Sequence, residues 1–239
     1  LPIPFGYKAA TWLSGIDRHI QRLEEIKIRL FYISFFGAAG TLASIGESDG
    51  LKTQIQLAKE LNLDNQVKFE LIDYREAKGK YDRIYSVGMF EHVGKKFYNT
   101  FFKSMNELLK DDGIFLLHTI GQRTKPSATS PWIRKYIFPG GYIPSLSEVL
   151  KETEKQNIIV TDIEILRMHY AHTLSHWYKN IQKHKNEIIR MFDKRFYRMW
   201  EFYLLASKYS FVNMGNIVFQ IQIAKNINNL PLTRNYMYN

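Results

Sequence analysis

The chain reads as an α/β protein with an open, mostly parallel sheet, helices on both faces and an antiparallel closing strand. Three observations carry that reading. Apolar runs at 82–88 and 114–120 flank a helical stretch at 95–109, and two buried strands joined by a helix make a parallel βαβ unit. Helix-like and strand-like stretches alternate along most of the chain. Near the end, the apolar run 216–224 follows two long helices and closes the sheet. Units of this kind place their chemistry beyond the carboxyl ends of the strands. Here Glu91 and His92 follow the first strand and His118 lies near the end of the second. Three ionisable groups at neighbouring strand ends point to a site, not a core.

The remaining elements follow from local pattern. Ile16, Ile20, Leu23, Ile26 and Leu30 are spaced by threes and fours, as in an amphipathic helix, and 51–61 repeats the spacing before a polar stop at Asn62 to Asn65. Residues 67–72 read as a short strand. The proline- and serine-containing connection 122–131 leads to Trp132 and a Phe-Pro-Gly-Gly-Tyr turn at 138–142. Ser145 and Glu148 have capping-box spacing, opening a helix to about Gln156. A strand at 158–165 and helices near 171–184 and 186–208 follow. Met191, Phe192, Phe196, Met199, Trp200 and Tyr203 form one apolar stripe, read as core.

A length of 239 residues with 45% hydrophobic content suits one sizeable domain. Cysteine is absent, which removes disulfides, a thiolate nucleophile and Cys-ligated metal, and agrees with a reducing cytoplasm. The most apolar run, 30–40, is far shorter than the roughly 18–20 residues that span a bilayer. The chain starts at Leu1, without a basic-then-apolar leader, as expected of a truncated or processed fragment. Its net charge of +10 favours a polyanionic partner. With no zinc finger, RNP motif or basic zipper, and with 15 Tyr and 16 Phe among the cations, an anionic membrane surface suits the pattern better than nucleic acid. A solvated basic surface is the plainer alternative.

Four segments together, YDRIYSVGMFEHVGKK (81–96), LLHTIG (116–121), WIRKYIFPGGYIPSL (132–146) and HYAHTLSHWYKN (169–180), closely resemble the cyclopropane-fatty-acyl-phospholipid synthases. The resemblance runs from about residue 51 to 238. It implies a Rossmann-like class I methyltransferase fold in a single domain over 1–239. Residues 1–29 would be an N-terminal helical segment, with 122–156 and 167–212 as helical additions over an acyl site. It also implies transfer of a methylene group from S-adenosylmethionine to the cis double bond of an unsaturated acyl chain in a membrane phospholipid. The enzyme would be cytoplasmic and peripheral at the inner membrane surface, with a homodimer left open. Two alternatives stand beside it: a related methyltransferase acting on another lipid or amine acceptor, and a non-catalytic lipid-binding relative with a degraded cofactor loop.

Methyl transfer from a sulfonium to an alkene carbon needs positioning and generates a carbocation. Ring closure then removes a proton from the new methyl group, so a base must lie within hydrogen-bond reach. The resemblance implies bound bicarbonate as that base, held by Glu91, His118, the backbone of Ile120 and Tyr170, with Glu91, His118 and Tyr170 as catalytic residues. The family's pattern includes an N-terminal cysteine that this chain lacks. For the cofactor, Gly37 and Gly40 read as remnants of the family's glycine loop, although bulky Phe35 and Phe36 stand beside them. The resemblance implies Asp73 at the adenine amine, flanked by Tyr74 and Arg75. Ser86 and Gly88, with His92 nearby, would let the cofactor lie against the end of a strand. Phe90, Tyr136, Phe138, Tyr142, Tyr178 and Tyr203 are candidates for an acyl channel. His172 and His176 have i, i+4 spacing, but a zincin-type glutamate is missing and no metal is expected.

Each site residue also has a plainer reading. His118 would be a satisfied core histidine, Glu91 a cap for a helix starting near Gly94, Tyr170 a packed aromatic, and Asp73 a solvent-exposed turn acid.

Overall fold

The computed structural model describes residues 47–70 and 72–238, and the chain divides into two compact units, Leu1–Leu71 and Ile72–Asn239. In the first unit, helix α1 (Glu47–Glu60) buries Gln54 and Ala58, four residues apart on one face. The strand expected at 67–72 does not form among the described residues. There, Lys68 and Glu70 pair with each other along the chain. The helix expected at 16–30, the segment 1–29, and Gly37 and Gly40 lie outside the described residues.

The second unit is built on four strands: β1 (Tyr81–Val87), β2 (Leu109–Gln122), β3 (Ile159–Leu166) and β4 (Asn216–Ala224), in the order β1-β2-β4-β3. β1 runs parallel to β2, and β4 is antiparallel to both of its neighbours, so the sheet among the described residues is open but mixed and not mostly parallel as expected. Residues 110–113, between the helical stretch and the apolar run read from the sequence, are absorbed into β2 as an irregularity, the ladder jumping from Tyr81–Leu109 to Arg83–Ile114.

Between β1 and β2 the chain forms α2 (Phe90–Val93), a 3-10 turn (Lys95–Phe97) and α3 (Tyr98–Leu108). Helix α3 buries Tyr98, Phe101, Phe102, Met105 and Leu108, spaced by threes and fours. These pack with Phe115 and Leu117 of β2 and with Ile217, Phe219, Ile221 and Ile223 of β4 in the larger apolar core. Each fully buried Phe, Leu or Ile there contributes about 1.5–3 kcal/mol. Helix α4 (Pro131–Tyr136) precedes α5 (Leu146–Lys155), which opens on the expected capping box, the Glu148 carboxylate accepting from the Ser145 N–H at 2.9 Å.

The opposite sheet face carries α6 (His169–Lys183) and α8 (Lys194–Tyr209), with α7 (Lys185–Met191) between them. Ala171, Leu174, Leu204 and Phe211 pack there on Val218, with Ile120 and Tyr170 at the margin. The single helix expected at 186–208 breaks because Asp193 adopts an extended conformation and caps α8, accepting from the Phe196 N–H at 2.6 Å. The stripe read as core divides: Met191 and Phe192 are 68% and 58% exposed, Phe196 and Met199 are partly buried, and Trp200 and Tyr203 pack against the smaller core, where α8 fully buries Leu204. The C-terminal 3-10 turn (Arg234–Met237) is fastened to ladder partners Asp162 and Gln222 through Arg234 and Tyr236.

Gly121 in β2 has no room for a side chain, because a Cβ would fall on the Phe219 ring well inside van der Waals contact. Gly121→Ala is expected to cost about 2 kcal/mol by overpacking, read as a lower midpoint in urea unfolding. An unchanged midpoint would show that β2 and β4 can separate at no cost.

Candidate active site

The chain leaves β1 through Gly88, whose φ of +69° suits glycine. Helix α2 is then anchored by Phe90, fully buried and stacked on Tyr98 at 4.2 Å. This anchor delivers Glu91 inward, leaving it 8% exposed. Glu91 Oε1 accepts from the Ile120 N–H of β2 at 2.6 Å, and the Glu91 carbonyl accepts from the Tyr142 N–H at 2.9 Å. Oε2 is buried without a hydrogen-bond partner among the described residues. Burial pushes the Glu91 carboxyl above the ordinary range, and the Ile120 hydrogen bond opposes it in part. Glu91 therefore does not cap the following turn; it bridges α2 to the neighbouring strand.

His118 lies on β2 beside Val87 of β1 and Gln220 of β4. Its Nε2 is 3.0 Å from the Tyr170 hydroxyl and its Nδ1 is 3.1 Å from Gln220 Nε2. Burial lowers the His118 pKa, favouring a neutral ring. Burial first, and then the charge of Glu91, raise that of Tyr170. Glu91, Ile120, His118 and Tyr170 are thus brought together from α2, β2 and α6. The Ile120 amide takes part through Glu91, to which it donates.

The expected cofactor residues divide. Ser86, paired with Leu117 in the ladder, has a buried Oγ with no partner among the described residues, and the space over Gly88 is open. An orphan hydroxyl beside an uncrowded backbone fits a ligand lying against the end of β1. His92 is half-buried, edge-on to Phe138 at 5.5 Å, and burial lowers its pKa. Tyr74 packs edge-on to Phe101. Asp73 is held by Arg75, whose Nε donates to Oδ1 at 2.8 Å and whose Nη2 donates to Oδ2 at 2.6 Å, bringing its pKa down to about 2. Both carboxylate oxygens are already engaged by the adjacent guanidinium, as in the plainer turn reading.

Of the channel candidates, Phe90 is sealed in the core and Tyr142 donates its hydroxyl hydrogen to Glu148 at 2.8 Å. Tyr136 is exposed and Tyr178 packs on the smaller core. Phe138 and Tyr203 meet edge-on at 5.9 Å, and from Tyr203 rings continue through Trp200 and Phe196 to exposed Phe192. Among the described residues no group of three His, Cys, Asp or Glu could hold a metal ion.

Sequence reasoning missed Gln220, which contacts the ring of His118. The signal was present: Gln220 and Gln222 interrupt an otherwise apolar β4 at alternate positions, and a polar side chain inside such a run needs a partner.

The raised Glu91 pKa carries a sign. Between the unfolded carboxyl value, 4.5, and the higher folded value, the native state holds a proton that the unfolded state has released. Stability from this group therefore falls as pH rises through that window. Glu91→Gln lacks this dependence, so its unfolding free energy should gain on the parent's as pH rises above 4.5 in urea titrations. Parallel pH profiles would show that Glu91 is not held protonated by burial.

Residues 43–221 match the family described as "Mycolic acid cyclopropane synthetase". The cyclopropane-fatty-acyl-phospholipid synthase of Escherichia coli (strain K12) is 37% identical over 176 residues, covering 74% of this chain and 46% of that protein. Sphingolipid C9-methyltransferase 2 of Gibberella zeae is 30% identical over 201 residues, covering 81% of this chain and 39% of that one. This chain thus spans about half the length, or less, of these curated relatives. Among solved structures, the cyclopropane synthase MmaA2 of Mycobacterium tuberculosis superposes with a TM-score of 0.63 at 28% identity, covering 73% of this chain and 67% of that one. The mycolic acid cyclopropane synthase CmaA1, complexed with SAH and CTAB, gives 0.62 at 28% identity over 72% and 66%. The fold is the Rossmann-like class I methyltransferase fold that the sequence predicts, and the chain belongs to the mycolic acid cyclopropane synthetase family.

Proposed function

We propose that the protein transfers a methylene unit from S-adenosylmethionine to the cis double bond of an unsaturated acyl chain in a membrane phospholipid, forming a cyclopropane ring. The general base is bicarbonate, held by Glu91, His118 and Tyr170, with the Ile120 amide orienting Glu91. The supporting observation is the unpartnered Glu91 Oε2 on the residue whose charge reaches Tyr170, itself 3.0 Å from His118. A carboxylate oxygen short of a donor and a phenol rich in one suit an ion that offers a single O–H and several acceptor oxygens. The hydrogen bond from the ion's O–H to Oε2 offsets part of the repulsion between the two negative charges.

S-adenosylmethionine supplies an electrophilic methyl group when bound. The chain's own part is to seat it against Ser86 and Gly88, with His92 as a further contact, and to hold the proton-accepting ion; Asp73 would reach it only on release of its pair with Arg75. The helices within 122–156 and 167–212 would cover the acyl chain in a single methyltransferase domain. Seven Lys and Arg against two acids between 179 and 198, around exposed Met191 and Phe192, suit the face of an anionic bilayer. No helix among the described residues is long and apolar enough to cross one. The enzyme would work at the cytoplasmic surface of that membrane.

The relative named a sphingolipid C9-methyltransferase, at 30% identity, favours a second reading, methyl transfer to a lipid without ring closure. Calorimetry with S-adenosylmethionine and mass analysis of unsaturated phospholipid vesicles separate the readings. A gain of one methylene with loss of the double bond supports the ring, a retained double bond supports the second reading, and no heat and no product would leave a lipid-binding relative. Tyr170→Phe is expected to lower kcat about 100-fold, with partial recovery on adding bicarbonate. Indifference to bicarbonate would remove the ion from the reaction.

A further inference from the structure

Gln220 is the ladder partner of His118 across the β2–β4 pair, and its side-chain Nε2 lies 3.1 Å from His118 Nδ1. A carboxamide NH2 donates and does not accept. With the carboxamide turned so that its NH2 faces the ring, as here, Nδ1 accepts, which leaves it bare and puts the proton of the neutral ring on Nε2. Nε2 is 3.0 Å from the Tyr170 hydroxyl. In this arrangement Nε2–H donates to the phenol oxygen, and the phenol hydrogen is free for another acceptor.

The reverse arrangement would behave differently. With the proton on Nδ1, Nε2 would capture the Tyr170 hydrogen and the pair would turn lone pairs toward Glu91. A pocket bounded by a carboxyl oxygen and lone pairs repels an anion, whereas one with a free phenol hydrogen binds it. We propose that Gln220 is a positioning residue that fixes His118 in its Nε2–H form and thereby leaves the Tyr170 hydroxyl free to donate into the pocket.

Strand geometry fixes the pairing of Gln220 with His118. Val218 lies two residues before Gln220 on the same side of β4, in the smaller core, and neighbouring Phe219 and Ile221 lie in the larger core on the other side. Gln222, the next glutamine on the His118 side, is committed to Tyr236 at 2.9 Å. Gln220 is left to serve the imidazole directly opposite.

The consequence for turnover rests on the function proposed above, but the tautomer does not. Protein labelled with 15N in histidine gives long-range proton–nitrogen spectra that report which ring nitrogen carries hydrogen, and the His118 signals are identified by their loss in His118→Asn. The parent is expected to show the Nε2–H form. Gln220→Glu, whose carboxylate accepts, should bring a proton to Nδ1, and Gln220→Met should give a mixture of tautomers. For Gln220→Met, kcat should fall about tenfold or more, with KM for S-adenosylmethionine unchanged. A parent ring protonated at Nδ1 overturns the proposal, as does a ring indifferent to both substitutions. A changed tautomer with unchanged kcat overturns the link to Tyr170. If a variant fails to fold, the parent spectrum alone decides. If the parent shows no turnover, the proposed reaction falls while the ring measurement still stands.

Discussion

The hydrogen bond from the Ile120 amide to Glu91 Oε1 ties a four-residue helix to the backbone of a central strand. Carboxylate rotation is costly once one oxygen is held by a rigid donor, so the direction of Oε2 is set by β2 itself. The burial that raises the Glu91 pKa comes from the same packing that seals Phe90 against Tyr98, Phe101 and Phe102. Core and site are consequently not separable: loosening the aromatic cluster would let water reach the carboxyl and return it toward its ordinary acidity.

Alternation along the strands distributes the rest. On β2, Phe115 and Leu117 enter the larger core while His118 and Ile120 face the opposite helices. On β4 the same rule sends Phe219 and Ile221 one way and Val218 and Gln220 the other. Tyr170 reaches this face because α6 begins at His169 and its first turn lies over the sheet, where Tyr170 also meets Phe211 edge-on at 5.6 Å. Three elements contribute, and each is positioned by apolar neighbours on its own other side.

Much of this was legible in the sequence where a local rule and tertiary packing agree. The strands at 82–88 and 216–224 and the capping box at Ser145 are of that kind, whereas Tyr170 was joined to Glu91 and His118 only by the family resemblance, pattern alone placing those two at neighbouring strand ends. The failures occurred where a local pattern needed a partner that the sequence does not display. Residues 67–72 alternate like a strand, yet alternation cannot say whether a neighbouring strand exists. The stripe from Met191 to Tyr203 has core-like spacing, but spacing cannot say which part of a helix overhangs the sheet, and Asp193 breaks the helix midway. Asp73 looked free for a ligand because the fork of Arg75, two residues on, is visible only in three dimensions. Gln220 was passed over because strand pairing, not sequence distance, brings it to His118.

The alternation that builds the pocket also guards against misthreading. If β4 slid by one residue against β2, Phe219 and Ile221 would exchange faces with Val218 and Gln220. An amide would then be forced into the aromatic interior, and a benzyl ring would confront the imidazole. The slot left by the missing Cβ at Gly121 accepts the Phe219 ring in one alignment. A chain that pairs its strands wrongly thus forfeits its hydrophobic interior at the same step as its polar pocket, so foldability and chemistry constrain the same few positions in the same direction.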